Sequence, residues 1–122
     1  MAIEKVEGEG PIPTQWRATV SELVASMVNG DYKSGKVPTA VVPIDQDTVR
    51  QVSDYIQDYG CTLINLPEEA WDTSVCIWQA SYWELLVDLY TREEGRSDMV
   101  LSLKVNDDSA TFSFQVYMVY VP

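Results

Sequence analysis

Carboxylates in the second half of the chain are the side chains whose spacing is closest to a catalytic arrangement. Glu84 and Asp88 lie in residues 82–90, where apolar residues alternate as in a β-strand, so both carboxylates point to one face. Four residues of strand separate them by about 13 Å, whereas a glycosidase holds its two carboxyl groups roughly 5–9.5 Å apart. The pair is therefore better placed to form a solvated or partner-binding face than to catalyse a reaction.

A second group of acids surrounds Gly95. Glu93, Glu94 and Asp98 supply oxygen atoms of the kind that hold a calcium ion, but they lack the alternating ligands of an EF-hand loop. A glycine at the centre of a polar segment favours a hairpin turn with a positive φ angle. We expect a hairpin here and no metal site.

Other catalytic groups are scarce. The 122 residues contain no histidine, which removes the usual general base near neutral pH and every His-containing metal site. Cys61 and Cys76 are not in a CxxC arrangement and are predicted to be reduced, packed thiols, with a disulfide or a reactive thiol as the alternative. No glycine-rich phosphate-binding motif occurs in the sequence. We therefore predict that the protein is not an enzyme and binds no cofactor.

The chain is strongly acidic, and its acids are unevenly distributed. Its 8 Lys+Arg and 19 Asp+Glu give a net charge of −11. Residues 1–60 have 5 bases and 9 acids, a net charge of −4, and residues 61–122 have 3 bases and 10 acids, a net charge of −7. Such a surface attracts basic proteins and disfavours direct contact with nucleic acid or an anionic membrane, although solubility alone is an alternative reason for it.

Two helices are predicted in the first half of the chain, after a flexible leader at residues 1–13. The first helix has Thr14 as its N-cap and ends at Asn29-Gly30, and the second has Asp45 as its N-cap and ends at Gly60. Both carry an apolar stripe with helical spacing. The stripes are Trp16, Val20, Leu23, Val24, Met27 and Val28 in the first helix, and Val49, Val52, Ile56 and Tyr59 in the second.

The second half of the chain changes to the period of two that is typical of strands. Short strands are predicted at residues 61–64 and 75–81, longer ones at residues 82–90, 99–105 and 111–121, and one helical turn at residues 67–71. The predicted core face of the last strand is Phe112, Phe114, Val116, Met118 and Tyr120. Helices followed by antiparallel strands predict a single α+β domain over residues 14–122, with both helices on one face of a mainly antiparallel sheet of about five strands.

The other face of this sheet is the candidate binding surface, because two helices can cover only one face. Its predicted residues are Tyr82, Glu84, Asp88, Tyr90, Ser102, Lys104, Ser113, Gln115 and Tyr117. The alternative is that an antiparallel sheet simply shows a polar face to water. Trp16 and Trp83 are predicted to lie in the core, whereas Trp71 and Trp78 are candidates for an exposed binding anchor.

The N-terminal residues contain no apolar stretch, so the sequence predicts no signal peptide. No apolar run approaches the roughly 20 residues that span a bilayer. We therefore expect a cytoplasmic protein that does not bind a membrane.

Size, acidity, the lack of a catalytic constellation and the order of helices before strands together resemble the immunity proteins of bacterial toxin–immunity systems. Those are small cytosolic proteins that bind and block a cognate toxin domain, often a basic nuclease or another nucleic-acid-modifying enzyme. Residues 83–98, WELLVDLYTREEGRSD, and residues 119–122, VYVP, also resemble a widespread bacterial domain family of unknown function. Neither resemblance assigns a role to an individual residue.

The leading hypothesis from the sequence is a non-enzymatic inhibitor that blocks a basic toxin domain with acidic and aromatic side chains of the sheet half. The candidate contact residues are Tyr82, Glu84, Asp88, Tyr90, Glu93, Glu94, Asp98, Trp71 and Trp78. One alternative is a small-ligand-binding or accessory domain of a bacterial cytosolic protein, with a pocket between the helices and the sheet. Another is a nucleic-acid mimic, and the oligomeric state stays open.

Overall fold

The computed structural model describes residues 8–107 and 111–122, and it confirms the α+β class. The helices in these residues are α1 (Thr14–Asn29), α2 (Gln46–Tyr59) and the short α3 (Ala70–Thr73), with a 3₁₀ turn at Asp31–Ser34. The strands are β1 (Glu9–Gly10), β2 (Leu63–Ile64), β3 (Val75–Trp78), β4 (Trp83–Thr91), β5 (Gly95–Asp107) and β6 (Phe112–Tyr120). Only α1 and α2 are long enough to cover a sheet face.

The strands form one antiparallel sheet in the order β1-β3-β4-β5-β6. Strand β2 lies outside this order and pairs antiparallel with β4. Strand β3 pairs with the first part of β4, from Trp83 to Leu86, whereas β2 pairs with its end at Tyr90 and Thr91. The segment that carries α3 connects β2 to β3 and therefore lies beside the middle of β4.

The ends of the long helices largely agree with the sequence signals. Gly30 and Gly60 follow α1 and α2 with φ angles of 85° and 77°, which only glycine adopts without strain. The Asp45 carboxylate accepts a hydrogen bond from the Thr48 backbone N–H at 2.7 Å and caps α2 as predicted. Thr14 is not the N-cap of α1, because Pro13 occupies that position and Thr14 is already the first helical residue.

One hydrophobic core lies between the two long helices and the sheet. Trp16 and Trp83 are buried in it as predicted, with their ring centroids 5.4 Å apart in an edge-to-face contact. The core side chains of the central strands are completely or almost completely buried. They are Leu85, Val87 and Leu89 on β4 and Met99, Leu101, Leu103 and Val105 on β5.

A bulge in β6 changes which of its side chains face the core. Leu103 pairs with Val116 and Ser102 pairs with Met118, so Tyr117 is the extra residue between them. An extra residue reverses the alternation of the residues that follow it. Val119 therefore faces the core and is completely buried, whereas Met118 pairs with Ser102 and lies on the opposite face of the sheet. The predicted core positions of Met118 and Tyr120 are therefore wrong, whereas those of Phe114 and Val116 are confirmed.

The fold begins earlier than the predicted leader suggests. Glu9 and Gly10 pair with Ile77 and Cys76 of β3, and the Ile12 side chain is completely buried. Residues 9–13 therefore belong to the folded domain, because their backbone pairs with β3 and their Ile12 side chain packs in the core. Residues 1–7 of the predicted leader lie outside the described residues. In the described part of the chain, no helix has the length and apolar character that crossing a membrane requires.

Candidate protein-binding face

The sheet face opposite α1 and α2 has no long helix on it, and we call it the outer face. Partners in an antiparallel ladder point to the same side, so the register defines this face row by row. Its residues are Val75, Ile77, Glu84, Leu86, Asp88, Tyr90, Arg96, Val100, Ser102, Lys104, Asn106, Ser113, Gln115, Tyr117, Met118 and Tyr120. The face is less polar than predicted, because Leu86, Val100 and Met118 also lie on it, around Ser102.

Glu84 lies on β4 among polar neighbours. Its carboxylate accepts a hydrogen bond from the Gln79 side-chain amide at 3.1 Å and a long one from the Ser102 hydroxyl at 3.5 Å. Lys104 is its partner on β5, with the ammonium 4.4 Å from the centre of the Tyr82 ring. With Tyr117, these groups line a surface cavity of about 300 Å³. The predicted residues Tyr82 and Glu84 are thus brought together with a lysine.

Asp88 lies in the gap that β2 and β3 leave along β4. Its backbone N–H donates to the Ser74 hydroxyl at 3.0 Å, and its carboxylate accepts a hydrogen bond from the Thr73 hydroxyl. The side chains of α3 and its C-cap thereby replace the missing strand partner. Asp88 is half-buried on the outer face and has one carboxylate oxygen beyond this bond for a further partner.

Tyr90 is on the outer face as predicted, but it is only 6% exposed. It lines a cavity of about 430 Å³ together with Ile64, Pro67, Glu69, Asp72, Thr73, Gly95 and Arg96. Burial raises the pKa of the Tyr90 hydroxyl, Glu69, Asp88 and Asp72 raise it further, and Arg96 opposes them. The expectation of a freely exposed Tyr90 is wrong, because the segment that carries α3 folds over this end of β4.

Two acids of the β4–β5 hairpin, Glu93 and Glu94, use their carboxylates in contacts within the protein. The Glu93 carboxylate accepts the Thr62 backbone N–H at 2.8 Å, which lowers the pKa of Glu93. The Tyr59 hydroxyl donates to Glu94 at 2.5 Å and accepts the Asp98 backbone N–H at 3.3 Å. These contacts tie the hairpin to the end of α2. The predicted site is therefore divided between the outer face and this hairpin.

Neither candidate tryptophan is an exposed anchor. Trp71 is 7% exposed, and the Arg17 guanidinium lies 5.5 Å from the centre of its ring. Trp78 is half-buried with its ring centroid 4.6 Å from that of Trp83. The expectation for Trp71 is wrong, because α3 turns its ring inward. Tyr117, at 67% exposure, is the large aromatic residue that the face presents.

Three residues near Tyr90 were missed as site candidates. Arg96 lies opposite Tyr90 on β5, and Glu69 and Asp72 reach the same cavity from the α3 segment. The period-two pattern does not reveal that these residues lie near Tyr90, because it cannot show that β2 and β3 pair with the same edge of β4. Tyr117 gave a usable signal, since the sequence pattern already placed it on the open face.

Other sites in the described residues are limited. No group of three or more His, Cys, Asp or Glu residues there can hold a metal ion. Cys61 and Cys76 are free thiols, and burial raises the pKa of Cys76 to about 11. A cavity of about 420 Å³ lies between the ends of α1 and α2, lined in part by Met27, Tyr32 and Cys61.

Comparisons with known proteins give a family without an assigned activity. The model of a domain of unknown function (DUF7668) matches residues 24–122, which leaves out β1 and the first part of α1. No curated protein matches the chain. No solved structure matches it either.

Proposed function

We propose that this chain, which belongs to the DUF7668 family of domains of unknown function, is a non-enzymatic inhibitor that binds and blocks a basic protein through its outer face. The observation that carries the proposal is a sheet face that neither long helix covers and that presents Glu84, Asp88 and the exposed Tyr117. Aromatic residues and methionine are enriched in protein-docking surfaces, and the carboxylates add the charge that a basic partner recognises.

The outer face of the sheet is more accessible to a partner than the free edge of β6. Strand β6 is the last of the order, and the backbone of residues 40–42 covers part of its free side. Val42 donates its N–H to the Phe114 carbonyl at 2.7 Å, and the Phe114 N–H donates to the Ala40 carbonyl at 2.9 Å. An added strand cannot use groups that are already paired, so docking on the outer face is favoured over strand addition there.

The charge of the chain indicates a basic partner. Against a net charge of −11, the described residues contain one ion pair, between Arg50 and Asp47 at 3.6 Å on the exposed side of α2. Most of the acids in the described ranges therefore have no base at ion-pair distance. An uncompensated acidic surface speeds the encounter with a basic protein and makes the complex sensitive to salt.

A cytoplasmic immunity protein that blocks a cognate toxin domain, such as a nuclease, combines these properties. The main alternative is a small-ligand-binding or accessory domain, which the cavity of about 420 Å³ between the ends of α1 and α2 favours. A second alternative is a nucleic-acid mimic, whose acidic surface would bind a DNA-binding protein. DNA that competes for the captured partner would indicate the mimic or a nuclease-directed inhibitor.

The test is capture of a basic partner from the native host at low salt, followed by titration with the double variant Glu84→Gln/Asp88→Asn. We expect affinity to fall roughly tenfold and its salt dependence to decrease, because two face charges are lost. The matched control is Glu22→Gln/Asp54→Asn, which removes two exposed charges from the helices. Equal losses in both variants, or none in the first, would place the interface elsewhere.

The ligand-binding alternative has its own readout. A thermal-shift screen with metabolites should leave the melting temperature unchanged if the protein is an inhibitor. A metabolite that raises the melting temperature, in a protein that captures no partner, would favour the alternative and contradict the proposal.

A further inference from the structure

The cavity beside Tyr90 has the composition of a site for one side chain of a partner. Ile64 and Pro67 give it apolar walls, and Thr73, Glu69 and Asp72 give it polar ones. Its volume of about 430 Å³ is at the small end of the range of ligand-binding pockets, which suits a side chain better than a cofactor. It opens on the outer face, next to Asp88.

Tyr90 supplies an observation that does not depend on the acids. Its side chain is more than nine-tenths buried and lines the cavity. No hydrogen bond to its hydroxyl is found within residues 8–107 and 111–122. The hydroxyl is not sealed from solvent and opens into the cavity, so a group that enters can form a hydrogen bond with it.

The charges around the hydroxyl favour a cation. Glu69, Asp72 and Asp88 act on it with negative charge, and Arg96 acts with positive charge. Three carboxylates against one guanidinium leave an excess of two negative charges around the cavity. A cation that enters therefore gains electrostatic energy, whereas an anion loses it.

We propose that this cavity receives an arginine side chain of the basic partner, with the Tyr90 hydroxyl and the Glu69 and Asp72 carboxylates as its hydrogen-bond acceptors. The inference deepens the proposed function and rests on it for the identity of the partner as a protein. Guanidinium fits better than ammonium, because it is planar, weakly hydrated and able to pair with a carboxylate through two bonds. The aliphatic part of an arginine matches the apolar walls.

A direct test needs no partner protein. N-acetyl-arginine methylamide is titrated into the full chain at low salt, and the backbone amides of Thr73, Gly95 and Arg96 are followed by NMR. We expect saturable shifts at these amides and none at Lys104, which lines the cavity of about 300 Å³ near Tyr82. The uncharged citrulline analogue has nearly the same shape and should cause no saturable shift.

Variants give effects of opposite sign. Glu69→Gln/Asp72→Asn should weaken binding of the arginine probe roughly threefold to tenfold, because both charges are exposed and partly screened. Tyr90→Phe should weaken it about tenfold by removing an acceptor that is bonded to a charged group. Arg96→Gln should strengthen it, since a repelling charge is removed. The helix variant Glu22→Gln/Asp54→Asn should leave it unchanged.

Several results would overturn the inference. They are equal binding of the citrulline analogue, no saturable shift with the arginine probe, and loss of binding in Arg96→Gln, which would indicate an anion site. The outcome is separable from that of the proposed function. If the arginine probe binds but no partner is found whose affinity depends on Glu84 and Asp88, only the proposed inhibitor function is contradicted. If such a partner is found but the probe does not bind, only the arginine site is contradicted.

Discussion

The side-chain amide of Gln51 on α2 forms two hydrogen bonds with the backbone of Val119 on β6. The Gln51 Nε2 donates to the Val119 carbonyl at 2.7 Å, and the Val119 N–H donates to Gln51 Oε1 at 3.1 Å. Gln51 thus binds β6 as a neighbouring strand would, just after the bulge that turns Val119 into the core. One residue joins a helix to the sheet and closes part of a sheet edge.

Gln51→Leu should destabilise the protein by about 1–3 kcal/mol, because it leaves both backbone groups of Val119 without their partner. Urea unfolding followed by circular dichroism measures the change. Gln57→Leu is the matched control on the exposed side of the same helix and should have little effect. Equal losses in the two variants would show that the paired hydrogen bonds are not responsible.

Ala80 is in a backbone conformation that suits glycine. It lies in the turn between β3 and β4 with a φ angle of 72°, the one positive value at a non-glycine residue in the described ranges. Ala80→Gly should therefore raise the free energy of unfolding by up to about 1 kcal/mol, since the left-handed conformation costs an alanine roughly 1–2 kcal/mol. Differential scanning calorimetry measures the change as a higher melting temperature.

The control for this turn has the opposite expected sign. Ala18 is an exposed residue inside α1, where glycine is unfavourable by about 1 kcal/mol. Ala18→Gly should therefore lower the melting temperature while Ala80→Gly raises it. A decrease in both variants would mean that the turn does not strain Ala80.

The sequence predicts elements well where local signals determine them. Gly30, Asp45 and Gly60 fix helix ends through their own backbone or side chain, and the structure places each at its predicted boundary. The bulge at Tyr117 has no such signal, because it depends on the register with β5. Alternation alone therefore assigns Met118 and Tyr120 to the wrong face.

The candidate site was less accessible to prediction than the fold. Glu84 and Asp88 could be assigned to one face because strand periodicity decides that directly. The inward position of Trp71 and the covering of Tyr90 depend on how the α3 segment packs against β4, which is a contact between distant parts of the chain. The contacts of Glu93 and Glu94 could not be predicted, because their partners, Thr62 and Tyr59, lie 31 and 35 residues earlier in the chain.

Two carboxylates should make stability fall in acid. The Thr48 N–H holds the pKa of Asp45 below the usual value of an aspartate, and the Thr62 N–H holds the pKa of Glu93 below the usual value of a glutamate. Folding lowers both pKa values, so both groups stabilise the protein fully above about pH 4.5 and lose this contribution as the pH falls through their folded values. Urea unfolding between neutral pH and about pH 3 should show the decrease.

The variant Asp45→Asn measures how much of this pH dependence comes from the N-cap of α2. Asparagine keeps an acceptor for the Thr48 N–H but does not titrate, so the variant should lose less stability in acid than the wild type. Asp47→Asn is the control in the same helical turn, with its carboxylate exposed and paired to Arg50. An unchanged pH profile in Asp45→Asn would contradict the assignment of the low pKa to the cap.

The two thiols should differ in reactivity although both are reduced. Burial raises the pKa of Cys76 to about 11, so about one thiol in a thousand is ionised at pH 8. Burial also raises the pKa of Cys61, with Glu93 and Glu94 adding to it, but this side chain is half-buried at the surface. A disulfide reagent at pH 8 should therefore modify Cys61 slowly and Cys76 only after unfolding.

The variant Cys61→Ser tests this difference. It should be nearly unreactive when native and react with one equivalent of the reagent in urea. Rapid labelling of native Cys61→Ser would show that Cys76 is accessible, against its burial in the core.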